Sequence, residues 1–339
     1  MGRLMNKAIY IIYASTLLLG ACNTDDVALS GREEIEVNVS VDTPTQTRVN
    51  EAGNAFEDKD EFILYMNERP STDGGITKAD YTYNATANKW NTSNPLYWDD
   101  RAGAIFCAVS PIPAADGADG YVIGAGGNDT YSVQQDQTDL VDYKKSDLLI
   151  ARSQATGRLL DVKFKHAFCK VVVKITSVTT GAGAFTLEDF KDAVVTLSQK
   201  QVKGEIEYPT ETEKAETVIA TGTGDAKDIT MRKMGAPTTL DALEYAAIIP
   251  QQDVTLDGST LLVTLANVGV AKNTYTYKPE LNDLKPNDTS AFTQGKQTTI
   301  TIKLTKTGVE LDATGEIKIV PWATGPTGTD DDAIVLPKN

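Results

Sequence analysis

The sequence predicts an all-β protein, sandwich or barrel, divided into two domains. Three observations carry this. Runs rich in β-branched and aromatic residues recur along the chain, the composition that a half-buried pleated surface prefers. Turn-forming clusters such as NERPSTDGG, PIPAADGADG, GAGGND and PNDTS separate them, at a spacing of about eight to twelve residues typical of β-sandwiches. Helical periodicity is nearly absent, and only TLEDFKDAV at 186–194 offers a short helix.

The elements follow in chain order. The start, MGRLMNK, carries only Arg3 and Lys7 as charges, and an apolar run from Ala8 to Gly20 comes next. That run is shorter than the roughly 20 residues a spanning helix needs. With its basic start it reads as a secretory signal peptide, residues 1–21. Its end, Leu19-Gly20-Ala21-Cys22, resembles a bacterial lipobox, in which Cys22 becomes the lipidated first residue of the mature chain. An ordinary signal peptide with an incidental cysteine is the alternative.

The segment 22–48 holds the first strand. In EIEVNVSV (34–41), Ile35, Val37, Val39 and Val41 share one face, and Glu36, Asn38 and Ser40 share the other. Pro44 ends it, and a polar loop runs on to Arg48 and Val49. A first domain, 49–158, has candidate strands EFILYM (61–66), YTYN (81–84), AIFCAVSP (104–111) and DLLIARS (147–153). SQATGRLLD (153–161) marks the seam. A second domain, 159–322, begins with one long strand at 162–177. There Phe164, His166 and Phe168 alternate on one face, and Ala167, Cys169, Val171, Val173 and Ile175 on the other. Apolar character moves from one set to the other, so this strand is buried on both faces in part or bent between them. Further strands are AVVTLS (193–198), EYAAIIPQ (244–251), LLVTLA (261–266), NTYTYK (273–278), TTITIKL (298–304) and EIKIVPW (316–322). The tail, 323–339, is a Gly-, Pro- and Thr-rich arm leading to the apolar patch Ala333, Ile334, Val335 and Leu336.

Signals for chemistry are weak. A net charge of −15 repels phosphate backbones and argues against a nucleic-acid partner. The single histidine, His166, sits mid-strand between Phe164 and Phe168 and reads as a hydrogen-bonded core residue. No G-x-S-x-G turn marks a nucleophile. One histidine with two cysteines in apolar runs, Cys107 and Cys169, lacks the spacing of a zinc site. Those cysteines read as buried free thiols, with a disulfide as the alternative. GAGG at 124–127 has no following helix or lysine, and Asp99-Asp100 and Asp330-Asp331-Asp332 lack the pattern of a calcium loop. Trp90, Tyr97 and Trp98 form either first-domain core or a surface for sugar rings. No enzyme activity, cofactor or metal is expected.

Together the motifs resemble the fimbrillin-like family, the type V pilins and related surface proteins of Gram-negative gut and oral anaerobes. TRVNEAGNAFEDKDEFILYM (47–66) matches the family's Thr-Arg step, loop and aromatic-acidic strand, with Phe56, Asp60 and Tyr65 in register. Lys59 and Phe62 replace the usual glycine and aliphatic residue. DLLIA (147–151), FKHAFCKVVVKI (164–175), IIPQQ (248–252) and IKIVPW (317–322) fit the family in the same order. The resemblance implies two transthyretin-like β-sandwich domains, mostly antiparallel and of Greek-key type. It implies an outer-membrane lipoprotein at the cell surface, cut between Arg48 and Val49 by an arginine-specific, trypsin-like protease. The strand bearing Ile35, Val37, Val39 and Val41 then leaves, and a strand from another pilin subunit fills its place in a growing fimbria. Ala333, Ile334, Val335 and Leu336 are a candidate donor segment, although four apolar residues in a row do not alternate. Host or bacterial surface ligands are the further partners implied. A permanently anchored lipoprotein that binds glycans or host ligands is the alternative.

Overall fold

The structure is a computed structural model that describes residues 33–41, 56–66, 78–98, 104–112, 121–122, 129–155, 157–177, 185–207, 219–254, 260–279, 292–305, 308–311 and 317–321. Cys22, Arg48, Val49, Ala333, Ile334, Val335 and Leu336 lie outside the described residues, as do GAGG and both acidic runs.

In chain order, β1 (Glu36–Val41), β2 (Glu61–Met66), β3 (Lys78–Asn84), β4 (Lys89–Asn91) and β5 (Ala104–Ser110) come first. After β6 (Tyr121–Val122) and β7 (Asp129–Ser132) comes a helix, α1 (Leu140–Ser146). Its N-cap is Asp139, whose carboxylate accepts the Asp142 N–H at 2.8 Å. β8 (Leu149–Ala155), β9 (Leu159–His166), β10 (Cys169–Ser177), β11 (Val194–Glu207), β12 (Ile219–Thr230) and β13 (Arg232–Lys233) follow. The chain continues through β14 (Leu243–Ile249), β15 (Val263–Val268), β16 (Asn273–Tyr277), β17 (Lys296–Thr305), β18 (Gly308–Leu311) and β19 (Ile317–Pro321). The helix expected at 186–194 is a 3₁₀ turn, Leu187–Phe190, closed by a Thr186/Asp189 capping box. The β-branched pair Val194-Val195 then opens β11.

The strands make three sheets. A seven-stranded sheet runs β1-β9-β8-β5-β2-β3-β4. A second runs β13-β14-β10-β17-β18, with β19 also on β17, and a third runs β16-β15-β11-β7-β6, with β12 on β11. The fold is all-β, as expected.

The central strands of the first sheet are buried on both faces, so they read as continuous apolar runs. Phe62, Leu64, Met66, Phe106, Ala108, Leu149 and Ala151 belong to one core. Their alternating neighbours Ile63, Tyr65, Cys107, Val109 and Ile150 belong to another, which continues into the other two sheets. One sheet therefore has a separate hydrophobic core on each side.

The apolar run at 162–177 is bent between two sheets. It is two strands, β9 in the first sheet and β10 in the second, and the chain crosses over at Ala167-Phe168. Local hydrogen bonds hold the crossing: Ala167 N–H donates to Leu148 O at 2.8 Å, and Phe168 O accepts from Gly295 N–H at 2.9 Å. The seam placed between 158 and 159 falls between β8 and β9, neighbours in one sheet. β7, from before that seam, also pairs with β11, from after it. Both described cysteines, Cys107 and Cys169, are buried and not joined in a disulfide.

Candidate functional site

The seat of β1 is the part of the fold whose geometry suggests function. β1 is the outermost strand of its sheet and lies parallel to β9, from Glu36 opposite Leu159 to Val41 opposite Phe164. This register sets Val37, Val39 and Val41 beside Leu160, Val162 and Phe164, on one face of the pleat. Those three β9 residues are fully buried. Ile35 and Val41, at the two ends, are 3% and 6% exposed, whereas Val37 and Val39 are half-buried. The strand is thus anchored at its ends and covered loosely in its middle. It is also parallel, a pairing slightly less stable per residue than the antiparallel one.

The entry to β1 is clamped from a second side. Ile35 N–H donates to Leu96 O at 2.9 Å, and Trp98 N–H donates to Glu33 O at 2.8 Å. Glu36 N–H donates to Arg158 O at 2.9 Å. Arg158 Nη1 also donates to Glu36 Oε1 at 2.7 Å, and its Nε lies 3.4 Å from Glu33 Oε2. These ion pairs are solvent-exposed and add little stability. Asn38 Nδ2 donates to Asp161 Oδ1 at 2.9 Å on the outer face. Removal of residues 33–41 would uncover the outer edge of β9 and the polar backbone groups of Leu96, Trp98 and Arg158. It would also open the pockets that Ile35 and Val41 fill. An exposed edge with apolar pockets is a template for another strand.

Ile35, Val37, Val39 and Val41 come together in the structure as one face of this seat. Sequence reasoning missed their partners: Leu96 and Trp98, Arg158, and the Leu160-Val162-Phe164 row. The alternation in LLDVKFKH signals a half-buried strand but not which strand lies beside it.

The remaining candidates take up structural positions. His166 Nδ1 lies 2.7 Å from Asp147 Oδ1, and both residues are buried. Trp98 is buried and stacks on Phe106. Trp90 packs edge-on against Phe56 and Phe62, while Tyr97 stays exposed. The three aromatics do not form one flat platform. Among the described residues no group of three or more His, Cys, Asp or Glu side chains is placed to hold a metal. No described helix is long and apolar enough to cross a membrane.

Comparison with known families returns a fimbrillin-like match over residues 47–322. The chain belongs to the fimbrillin-like family. The match starts one residue before Arg48 and ends at Trp322, so β1 lies outside it. Among solved structures, a putative cell adhesion protein of Bacteroides uniformis aligns with a TM-score of 0.56 at 19% identity. That alignment covers 85% of this chain and 99% of the other. A putative cell adhesion protein of Bacteroides ovatus aligns with a TM-score of 0.53 at 14% identity, covering 83% and 95%. At these identities the likeness is one of fold. No curated protein matches the sequence.

Proposed function

We propose that this fimbrillin-like protein is a structural subunit of a surface fimbria, assembled by exchange of its first strand. The chain is exported as an outer-membrane lipoprotein through Cys22 and cut between Arg48 and Val49. Residues 22–48 then leave, and a strand from another subunit enters beside β9. The observation that carries this reading is the seat of β1: a parallel, outermost strand with two well-buried apolar anchors, followed in the sequence by the polar stretch DTPTQTR. Such a strand can be withdrawn without unpicking the centre of the sheet. Family membership supports the same reading. The role implied is non-enzymatic, and its partners are other subunits, the processing protease and, on the finished fimbria, surface ligands.

Limited trypsin digestion of the chain lacking residues 1–22 tests the proposal. One early cut yielding a chain that begins at Val49, followed by higher-order species on a sizing column, is the expected result. Resistance at Arg48 while other sites are cut refutes it. So does a clipped chain that stays monomeric in the presence of candidate partner subunits.

A further inference from the structure

Arg158 stands directly before β9, and among the described residues its hydrogen bonds and ion pairs run to the β1 segment. Its carbonyl accepts the Glu36 N–H at 2.9 Å. Its guanidinium meets two carboxylates, Glu36 Oε1 at 2.7 Å and Glu33 Oε2 at 3.4 Å. The Arg158 side chain is nevertheless 48% exposed, and Leu159, opposite Glu36 in the register, is 65% exposed. At Gly157 an added Cβ would meet nothing within 4 Å, so this corner is uncrowded. The side chains on both sides of the Arg158–Leu159 peptide bond therefore face solvent, while the carbonyl of that bond is engaged by β1.

The first half of β9 depends on β1 for its ladder. Leu159 to Phe164 pair in register with Glu36 to Val41. On the opposite side, the β8–β9 ladder among the described residues consists of Leu149–His166 and Ile150–Lys165, at the far end of β9. Nearer Arg158, the Ser153 hydroxyl donates to Asp161 O at 2.7 Å. β8 itself is paired along its length with β5, from Leu149 opposite Ser110 to Ala155 opposite Ala104. Loss of β1 would strip the ladder from Leu159–Phe164, whereas the far end of β9 would stay paired with β8.

A protease takes its substrate as an extended strand and bonds to the backbone around the bond it cuts. An exposed arginine is a substrate only when that backbone is unpaired, and cutting follows the population of the opened form. With β1 seated, the carbonyl, the guanidinium and the strand that follows are all engaged. The ion pairs are exposed and weak, so the guard is the paired backbone rather than the charges. Arg152 provides the contrast. It lies inside β8, opposite Cys107 of β5, and is 6% exposed, so it stays covered when β1 leaves.

We propose that Arg158–Leu159 is a second cleavage site for an arginine-specific protease, guarded by whichever strand occupies the β1 seat. The inference rests on the reading of β1 as a removable strand. The reaction is hydrolysis: the bond between the Arg158 carbonyl carbon and the Leu159 nitrogen breaks, and water gives its OH to the carbon and its remaining proton to the nitrogen. The cut frees the start of β9, and with it the Leu160-Val162-Phe164 row on which a new strand would pack. A protease that empties the seat thus also inactivates a subunit whose seat stays empty, while a subunit filled by a neighbour's strand is spared.

The test is a time course with an arginine-specific endoproteinase on the chain lacking residues 1–22, at about 1 μM, where a weakly held strand leaves once cut. Mass spectrometry follows the chains that begin at Val49, Leu159 and Ser153. Wild type is compared with Arg48→Gln, and with Arg48→Gln carrying Ile35→Asp and Val41→Asp, which unseats β1 without a cut. In the wild type, Leu159 chains are expected only after Val49 chains. In Arg48→Gln their formation should slow at least about tenfold, and in the unseated chain it should return. Ser153 chains should stay rare throughout. Leu159 chains formed equally fast from Arg48→Gln and from a wild type that is cut at Arg48 overturn the proposal. Their absence from both the cut wild type and the unseated chain does so too. Cutting at Arg152 as fast as at Arg158 also overturns it, because loss of β1 would then open the whole sheet. If Arg48 resists in the wild type, the strand-release reading fails, yet Leu159 chains from the unseated variant still support the guarded site.

Discussion

A synthetic peptide spanning residues 33–41, added to the chain that begins at Val49, measures how firmly the first strand is held. Ile35 and Val41 are almost fully buried, and Val37 and Val39 about half. At about 1.5–3 kcal/mol for each fully buried side chain, the apolar face contributes about 5–9 kcal/mol. Roughly eight backbone hydrogen bonds to β9, Leu96 and Trp98 add about 4–12 kcal/mol at their usual net value. Ordering the nine residues costs about 9–18 kcal/mol. The opposing sums agree to within a few kcal/mol, so the strand stays in place largely because it is attached. A free peptide must also surrender translational and rotational freedom, at least about 4 kcal/mol more. The expected Kd is therefore weaker than about 100 μM. Fluorescence anisotropy of a labelled peptide reads it directly, with an Ile35→Ala, Val41→Ala peptide as the control. A wild-type Kd below about 1 μM would refute the reasoning, because a clipped strand held that tightly would not leave.

Other outcomes follow from single side chains. Gln137 is fully buried; its Oε1 accepts Ile248 N–H at 2.9 Å and its Nε2 donates to Ile248 O at 2.8 Å. Gln137→Ala strands both backbone groups and should cost about 2–4 kcal/mol in urea unfolding. At Gly204 an added Cβ would sit 2.3 Å from Phe168 Cε1, so Gly204→Ala should cost about 1–3 kcal/mol or more. Gly157→Ala meets nothing within 4 Å and should stay within about 0.5 kcal/mol of wild type in the same assay. Burial raises the Cys169 thiol well above its ordinary range, and its Sγ donates to Ile249 O at 3.0 Å. Cys107 and Cys169 should therefore resist alkylation in the folded protein and react only on unfolding, as mass spectrometry would show. Burial pushes the Lys200 amine down to about 8, so the unfolded chain binds more protons than the folded one between pH 8 and 10.5. Wild-type stability relative to Lys200→Met should therefore rise with pH across that window. Parallel unfolding curves near both ends check the sign.

Much of the fold was legible because strand patterns are local. Alternation and β-branched residues located β2, β5, β14 and β17 within a few residues of their bounds. Strands without an apolar run were not legible. β12 reads IATGTGDAKDIT and is held by its pairing with β11 rather than by its own composition. α1 escaped notice because seven residues carry too little periodicity; its signal was the Asp139 cap with Asp142 three residues on.

The sequence by itself determined the all-β class, the alternating face of Ile35, Val37, Val39 and Val41, the buried character of the cysteines and His166, and the family resemblance. These properties follow from residue type and period, which each segment carries alone. Only the tertiary structure decided which strand lies beside β1, that the pairing is parallel, and that the 162–177 run divides between two sheets. It also decided that a register shift in β11 turns Lys200 inward. Pairing and register join residues far apart in sequence, such as Val41 and Phe164, and a shift of one position reverses every side chain. No local pattern holds that information, because it arises only when separate strands share a core.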